Sequence, residues 1–226
     1  RYALASVDPV LNGAASGAAF TRYQDNGGPF VTFASPFSLV EGGHALGYQS
    51  QDNVQNLEVL RSTTVLVDAT APVSSATIGS PFFVGADGTR YITPATPVTL
   101  SAFDPVSNGV ASGVEHIEIS IDDGAFAAYA SALTFPEGRH AVLFRTLDRV
   151  GNVEATHRLD LQSDNTSPLT TFTPSGALFT SGERSYAPAQ FTYALLAQDP
   201  VINNVASGVA FTNYRIGQAT YQNFVS

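Results

Sequence analysis

Strict alternation of apolar and polar residues marks Val114-Glu-His-Ile-Glu-Ile-Ser-Ile121, where Val114 and the Ile117, Ile119, Ile121 set give a period near two and predict a strand. Val98-Thr-Leu-Ser-Ala-Phe103, Ala141-Val-Leu-Phe-Arg-Thr-Leu147 and His157-Arg-Leu-Asp-Leu161 read the same way. No stretch carries the period of a long helix. Asp122-Asp-Gly124 and Asp25-Asn-Gly-Gly28 follow strand patterns with residues that accept positive φ, which predicts tight hairpins. In strand order A to G, the pattern places A at Phe82 and Val84, B at 98–103, C at 114–121, the next strand at 126–130, E at 133–135, F at 140–147 and G at 155–161. Thirteen prolines and nineteen glycines punctuate these short runs, as in an all-β sandwich.

The strongest signal is repetition. Asp8-Pro-Val-Leu-Asn-Gly-Ala-Ala-Ser-Gly17 returns at Asp104–Gly113 and again at Asp199–Gly208, offsets of 104 − 8 = 96 and 199 − 104 = 95. Glu41–Asn56 matches Glu137–Asn152, and Asp68-Ala-Thr-Ala-Pro72 matches Asp164-Asn-Thr-Ser-Pro168, in the same register. A unit of this length is too long for a solenoid coil and suits a self-contained sandwich. The expected division is residues 1–72, 73–168 and 169–226, with the middle unit complete. Ser226 aligns with Ser131 and Ser35, so the chain is expected to start and stop partway through a unit, as a piece of something longer or one completed by neighbouring copies.

Composition narrows the function. Hydrophobic residues make up 44% and charged residues 13%, enough apolar material for a globular fold. All ten basic residues are arginines, scattered singly against nineteen carboxylates for a net charge of −9, which argues against nucleic acid and favours divalent cations. Cysteine is absent, so disulfides and thiolate metal sites are excluded. No run reaches the roughly 18 apolar residues of a membrane-spanning helix, and the N-terminal residues do not read as a signal peptide.

The series Glu-Gly-x-His, Asp-x-x-Gly-Asn and Asp-x-Thr-x-Pro, best carried by Glu137–His140, Asp148–Asn152 and Asp164–Pro168, resembles bacterial immunoglobulin-like repeats of large secreted and surface proteins. The resemblance implies tandem immunoglobulin-like β-sandwich domains arranged head to tail, an extracellular or cell-surface location, and a role as stalk, adhesin extender or accessory module, often with calcium at the joints. Gln55 stands where that family has glycine, so the F–G loop of the first repeat is expected to turn differently.

The candidate chemistry lies at the joints. In a serial sandwich, strands B and F run back toward the preceding domain, which brings the loops after them beside the incoming linker. Asp104 follows strand B, Asp148 follows strand F, and Asp68 lies in the linker; Glu41 is the added candidate. The next joint would use Asp164 and Asp199 with Glu137, while Asp8 and Asp52 would serve a preceding linker. Two readings stand: calcium ligands, since calcium takes six to eight oxygens from separate loops, or aspartates that cap their own backbone before Pro and Gly.

Other residues point less far. His44 and His140 recur at matching positions and read as packed or hydrogen-bonded strand residues, because zinc needs three or four convergent ligands. Ser16, Ser112 and Ser207 lack a base and an orienting acid and read as turn residues, so no enzyme is expected. Glu115, Glu118, Asp122 and Asp123 read as a solvated face rather than a glycosidase pair. Asn165-Thr-Ser167 is a formal glycosylation sequon followed by Pro168. Phe30, Phe33, Phe126, Tyr129, Tyr221 and Phe224 fall on the middle strands, where core packing is the default and sugar stacking the alternative. The expected partners are neighbouring repeats of the same chain, further copies of the protein, or a cell-surface or polysaccharide ligand. The leading function is a structural or adhesive stalk, spacer or filament subunit; the alternative is a carbohydrate-binding accessory module of a secreted hydrolase.

Overall fold

The computed structural model describes residues 1–224, and among them every regular element is a strand. The first repeat region contributes β1 (Ala18–Asp25), β2 (Val31–Thr32), β3 (Gly42–Asp52) and β4 (Arg61–Val67). The second contributes β5 (Val73–Ile78), β6 (Phe82–Val84), β7 (Arg90–Ile92), β8 (Val98–Phe103), β9 (Val114–Ile121), β10 (Ala127–Ala128), β11 (Gly138–Asp148) and β12 (His157–Ser163). The third contributes β13 (Leu169–Pro174), β14 (Phe179–Ser181), β15 (Arg184–Tyr186), β16 (Tyr193–Gln198), β17 (Asn213–Tyr214) and β18 (Gln222–Asn223).

The pairings repeat with the sequence. Sheet β2-β1-β3-β4 reappears as β10-β9-β11-β12 within a six-stranded sheet that ends in β7-β6. Gly42 opposes Val67 and Gly138 opposes Ser163, and adding 96 to both partners converts one pair into the other. The same shift turns Arg22↔Thr32 into Glu118↔Ala128. Register is held where alternate residues are buried, in β3, β11 and β12, since a one-residue slip would turn that face to solvent. Likewise β5 pairs β8, and β13 pairs β16.

The described chain forms two compact units. One gathers residues 1–74, 102–117 and 145–155; the other gathers 75–101, 118–144 and 156 onward. In the second unit Val98 and Leu100 of β8 are buried, as are Val142 and Phe144 of β11 and Leu159 and Leu161 of β12, with Ile92 and Phe135 completing the core. In the first unit buried apolar residues are fewer, Leu46 and Val110 among them, and Phe37 stacks on Tyr23 at 4.0 Å. Buried polar groups stand beside them: His44, Ser74, Thr146, Asp148 and Glu154.

Strands B and C fall where the alternation puts them, at β8 and β9. Strand A does not. Phe82–Val84 is one arm of the β6–β7 hairpin, and the strand paired with B is β5, whose Val73-Ser-Ser-Ala-Thr-Ile78 is too polar to announce itself. The predicted strand E reduces to a single bridge, Val98↔Leu133, because the flanking donors on the facing strand bond elsewhere, Thr96 N–H to the Thr93 carbonyl and Leu100 N–H to the Tyr129 hydroxyl. Strand F is longer than its apolar pattern, running from Gly138 to Asp148. The F–G loop of the first repeat turns as its counterpart does: Gln55 adopts φ +72° and Gly151 φ +91°, each with its N–H bonded to the carbonyl of the preceding aspartate, Asp52 or Asp148, at 3.2 and 3.3 Å. The bonds that Val54 N–H, Asn56 N–H and Asn56 Nδ2 donate to the Asp52 carboxylate over-determine the backbone, so glutamine is held where glycine would sit without strain.

Candidate metal centre

Each Asp-Pro-Val block folds into the same small hairpin, bridged Leu11↔Ala14, Ser107↔Val110 and Ile202↔Val205. Its tip residues Asn12-Gly13, Asn108-Gly109 and Asn203-Asn204 all have positive φ, which asparagine and glycine tolerate. Behind each tip, the aspartate that opens the block accepts a bond from the glycine that closes it. Gly17 N–H donates to Asp8 Oδ2 at 2.8 Å, Gly113 N–H to Asp104 Oδ2 at 2.7 Å, and Gly208 N–H to Asp199 Oδ2 at 2.6 Å. Gly113 sits at φ +86° and Gly208 at φ +89°, so a backbone donor can point back at the carboxylate.

The linker aspartate reaches the neighbouring serine. Ser112 N–H donates to Asp68 Oδ2 at 2.6 Å, and Thr70 N–H donates to Asp68 Oδ1 at 3.1 Å. Asp148 is fully buried and accepts from Val150 N–H and Asn152 N–H through Oδ1, and from Asn152 Nδ2 through Oδ2 at 2.7 Å. Asn152 Nδ2 also donates to the Asp68 carbonyl at 3.2 Å, so one amide ties the linker to the F–G turn. One oxygen from each of Asp68, Asp104 and Asp148 lies within 4.8 Å of the others. Asp104 Oδ1 is buried there and meets no hydrogen-bond donor.

Three carboxylates this close repel one another, and withdrawal from water adds to the cost of their charge. Burial pushes the Asp68 carboxyl up, but the bonds from Ser112 and Thr70 outweigh it and hold the group below the ordinary range. Asp148 is likewise pushed up by burial and brought below its usual value by the bonds from Asn152 and Val150. The donors engage both oxygens of Asp68 and of Asp148, while Asp104 Oδ1 remains buried with no hydrogen-bond partner.

Glu41 stands apart from this cluster and clamps the linker. It accepts from Thr70 Oγ1 at 2.5 Å through Oε1 and from Ser107 Oγ at 3.0 Å through Oε2. Within the second unit the pattern recurs: Ser207 N–H donates to Asp164 Oδ2 at 2.7 Å, and Thr166 Oγ1 donates to Glu137 Oε1 at 2.6 Å. Asp199 Oδ1 is again buried without a donor. Asp52 caps its own turn, accepting from Val54 N–H, Asn56 N–H and Asn56 Nδ2.

The remaining candidates resolve into local structure. His44 Nδ1 meets Asp25 Oδ2 at 2.7 Å and its Nε2 meets the Val40 carbonyl at 2.9 Å; His140 repeats this with Asp122 and Pro136. Asp122 is therefore spent on the hairpin turn, where it also accepts from Ala141 N–H at 2.9 Å. The Arg22 guanidinium lies 4.3 Å over the Phe30 ring, and Tyr129 hydroxyl accepts from Leu100 N–H at 3.1 Å. Two contributors are absent from the sequence reading. Val110 and Val205 are buried plugs under the Asp-Pro-Val hairpins, at repeat positions that carry Ala14 in the first copy. Glu154 is a buried carboxylate that accepts from Ser74 N–H at 2.7 Å, Ser74 Oγ at 2.5 Å and Thr146 N–H at 3.1 Å. Its recurrence as Glu58 at the same offset was the available signal.

No protein-family model and no curated protein matches the chain. Among solved structures it is similar to the fibronectin(III)-like modules of Clostridium thermocellum CbhA, at 13% identity over 65% of this chain and 78% of theirs, with a TM-score of 0.34.

Proposed function

We propose that the protein is a structural, extracellular repeat protein, a stalk, spacer or filament subunit built of immunoglobulin-like units and joined where an Asp-x-Thr-x-Pro linker meets two aspartate-bearing loops. The supporting observation is the approach of Asp68, Asp104 and Asp148 to within 4.8 Å, with Asp104 Oδ1 buried and lacking a donor. Oxygens around one calcium ion stand up to about 4.8 Å apart when each is about 2.4 Å from it, so the three carboxylates fit the chemistry of that ion. Calcium would neutralise their repulsion and take up the orphaned oxygen, with water and carbonyls filling the shell. The backbone bonds from Ser112, Gly113, Val150 and Asn152 would preorganise the ligands. Such a joint resists bending because linker and both loops share one anchor. Asp164 and Asp199 repeat two parts of it.

The carbohydrate-binding alternative is less favoured, since the Tyr129 hydroxyl is taken by Leu100 N–H and the Arg22 guanidinium lies over the Phe30 ring. Thermal melting and calorimetric titration with calcium chloride test the reading. Calcium is expected to bind and raise the melting temperature, by an amount equivalent to about 2.7 kcal/mol at a hundredfold excess over Kd. Asp104→Asn should weaken binding at least about tenfold, because calcium prefers charged oxygen. No binding heat, together with no change on adding chelator, would remove calcium from the joint.

A further inference from the structure

In the second repeat region, the segment from Asp68 to Ser74 enters along a defined set of groups. Ser112 N–H takes the Asp68 carboxylate, Asn152 Nδ2 takes the Asp68 carbonyl, and Glu154 takes both the N–H and the hydroxyl of Ser74. From Val73 the segment becomes β5 and pairs with β8. Every member of that receiving set has a counterpart 96 residues earlier: Ser16 for Ser112, Ser50 for Thr146, Asn56 for Asn152 and Glu58 for Glu154. Residues 2–7 stand in place of β8.

Three of those counterparts, Ser50, Asn56 and Glu58, line an open groove of about 580 Å³ together with Ser6, Asp8 and Arg61, and Ser16 sits beside it through its bond to Asp8. Glu58 is already oriented as Glu154 is: Ser50 N–H donates to Glu58 Oε2 at 3.1 Å, as Thr146 N–H does to Glu154 Oε2 at 3.1 Å. The other oxygen differs. Glu154 Oε1 accepts from the incoming Ser74 N–H, whereas Glu58 Oε1 holds Arg61 Nε at 2.7 Å, an arginine whose side chain is 66% exposed. An exposed ion pair is a weak competitor, worth little against solvent.

We propose that this groove is a binding site for an extended peptide of the type Asp-x-Thr-x-Pro-x-Ser. Its aspartate caps Ser16 N–H, its main chain pairs alongside residues 2–7, and its serine displaces Arg61 from Glu58. Main-chain pairing supplies affinity, and the aspartate and serine set register, as in other strand-addition sites. The site is independent of metal.

The test uses the full chain and a fluorescein-labelled peptide, Asp-Ala-Thr-Ala-Pro-Val-Ser-Ser-Ala, copied from residues 68–76, titrated by anisotropy in the presence of chelator. Saturable one-site binding is expected. Replacing the peptide's first serine by alanine removes the hydroxyl bond to the carboxylate while keeping the main-chain N–H bond, and should weaken binding about tenfold without touching the protein. Glu58→Gln should weaken it similarly, and Arg61→Ala should tighten it. The absence of saturation up to about 1 mM, the weak end of specific recognition, would overturn the proposal. So would equal affinity for the serine-to-alanine peptide, or self-association of the chain that excess peptide does not displace, which would give the groove a different occupant.

Discussion

Glu154 and Glu58 occupy the same repeat position and pose a sharp contrast. Glu154 is 9% exposed and accepts three hydrogen bonds, two from Ser74 and one from Thr146, so it holds the start of β5 against the start of the F–G turn. Glu154→Ala leaves two backbone N–H groups buried without an acceptor, at a cost of about 1–3 kcal/mol each, and loses a charged bond from the serine hydroxyl. The total is about 3–5 kcal/mol, which for a chain of this size corresponds to a melting shift on the order of 10 °C. Glu58→Ala removes one backbone bond and an exposed ion pair to Arg61, and should cost about 1 kcal/mol or less. Calorimetric melting of both variants measures the difference. Amide exchange supplies a local readout, since Ser74 and Thr146 N–H should lose protection in Glu154→Ala and no distant amide should do so first. Equal shifts for the two variants, or unchanged protection at Ser74, would refute the assignment of Glu154 as the clasp on the incoming strand.

Three further outcomes follow from single sites. Both ring nitrogens of His44 face oxygen acceptors, Asp25 and the Val40 carbonyl, and the Asp25 bond in particular raises its pKa above the ordinary 6.5. The charged imidazole then stabilises the fold fully below the unfolded value near 6.5, and that contribution is lost as pH rises through the higher folded value; melting of His44→Gln compared with the parent from pH 5 to 9 should show a gap that narrows at the alkaline end. Asp68 and Asp148 are held below the ordinary carboxyl range, so their contribution is present above the unfolded value of 3.8 and is lost as pH falls through the lower folded value; acid titration followed by circular dichroism should show a shallower loss in Asp68→Asn than in the parent. Gln55→Gly relieves a left-handed glutamine at φ +72° and should stabilise by about 1 kcal/mol in a urea melt.

How far the chain could be read depended on what kind of information each feature needs. Repetition and alternation are local, so β8 and β9 and the turns at Asp25 and Asp122 were legible from residue order alone. Asp68, Asp104 and Asp148 were legible as a candidate cluster because loops that follow B and F must return to the same end of a sandwich. Strand β5 was not, since Ser74, Ser75 and Thr77 are polar and become a strand only by pairing with β8. Glu154 was passed over for the same reason: a glutamate in a loop looks solvated until Ser74, 80 residues away, and nearby Thr146 close their donors around it. Residue order by itself determined the all-β character, the repeat and its register, because these depend on periodicity and on backbone preferences carried by each residue. Only the tertiary structure decided which oxygens meet donors and which, like Asp104 Oδ1, are buried without one, because hydrogen bonding and charge repulsion act across distances of a few ångströms between groups many residues apart.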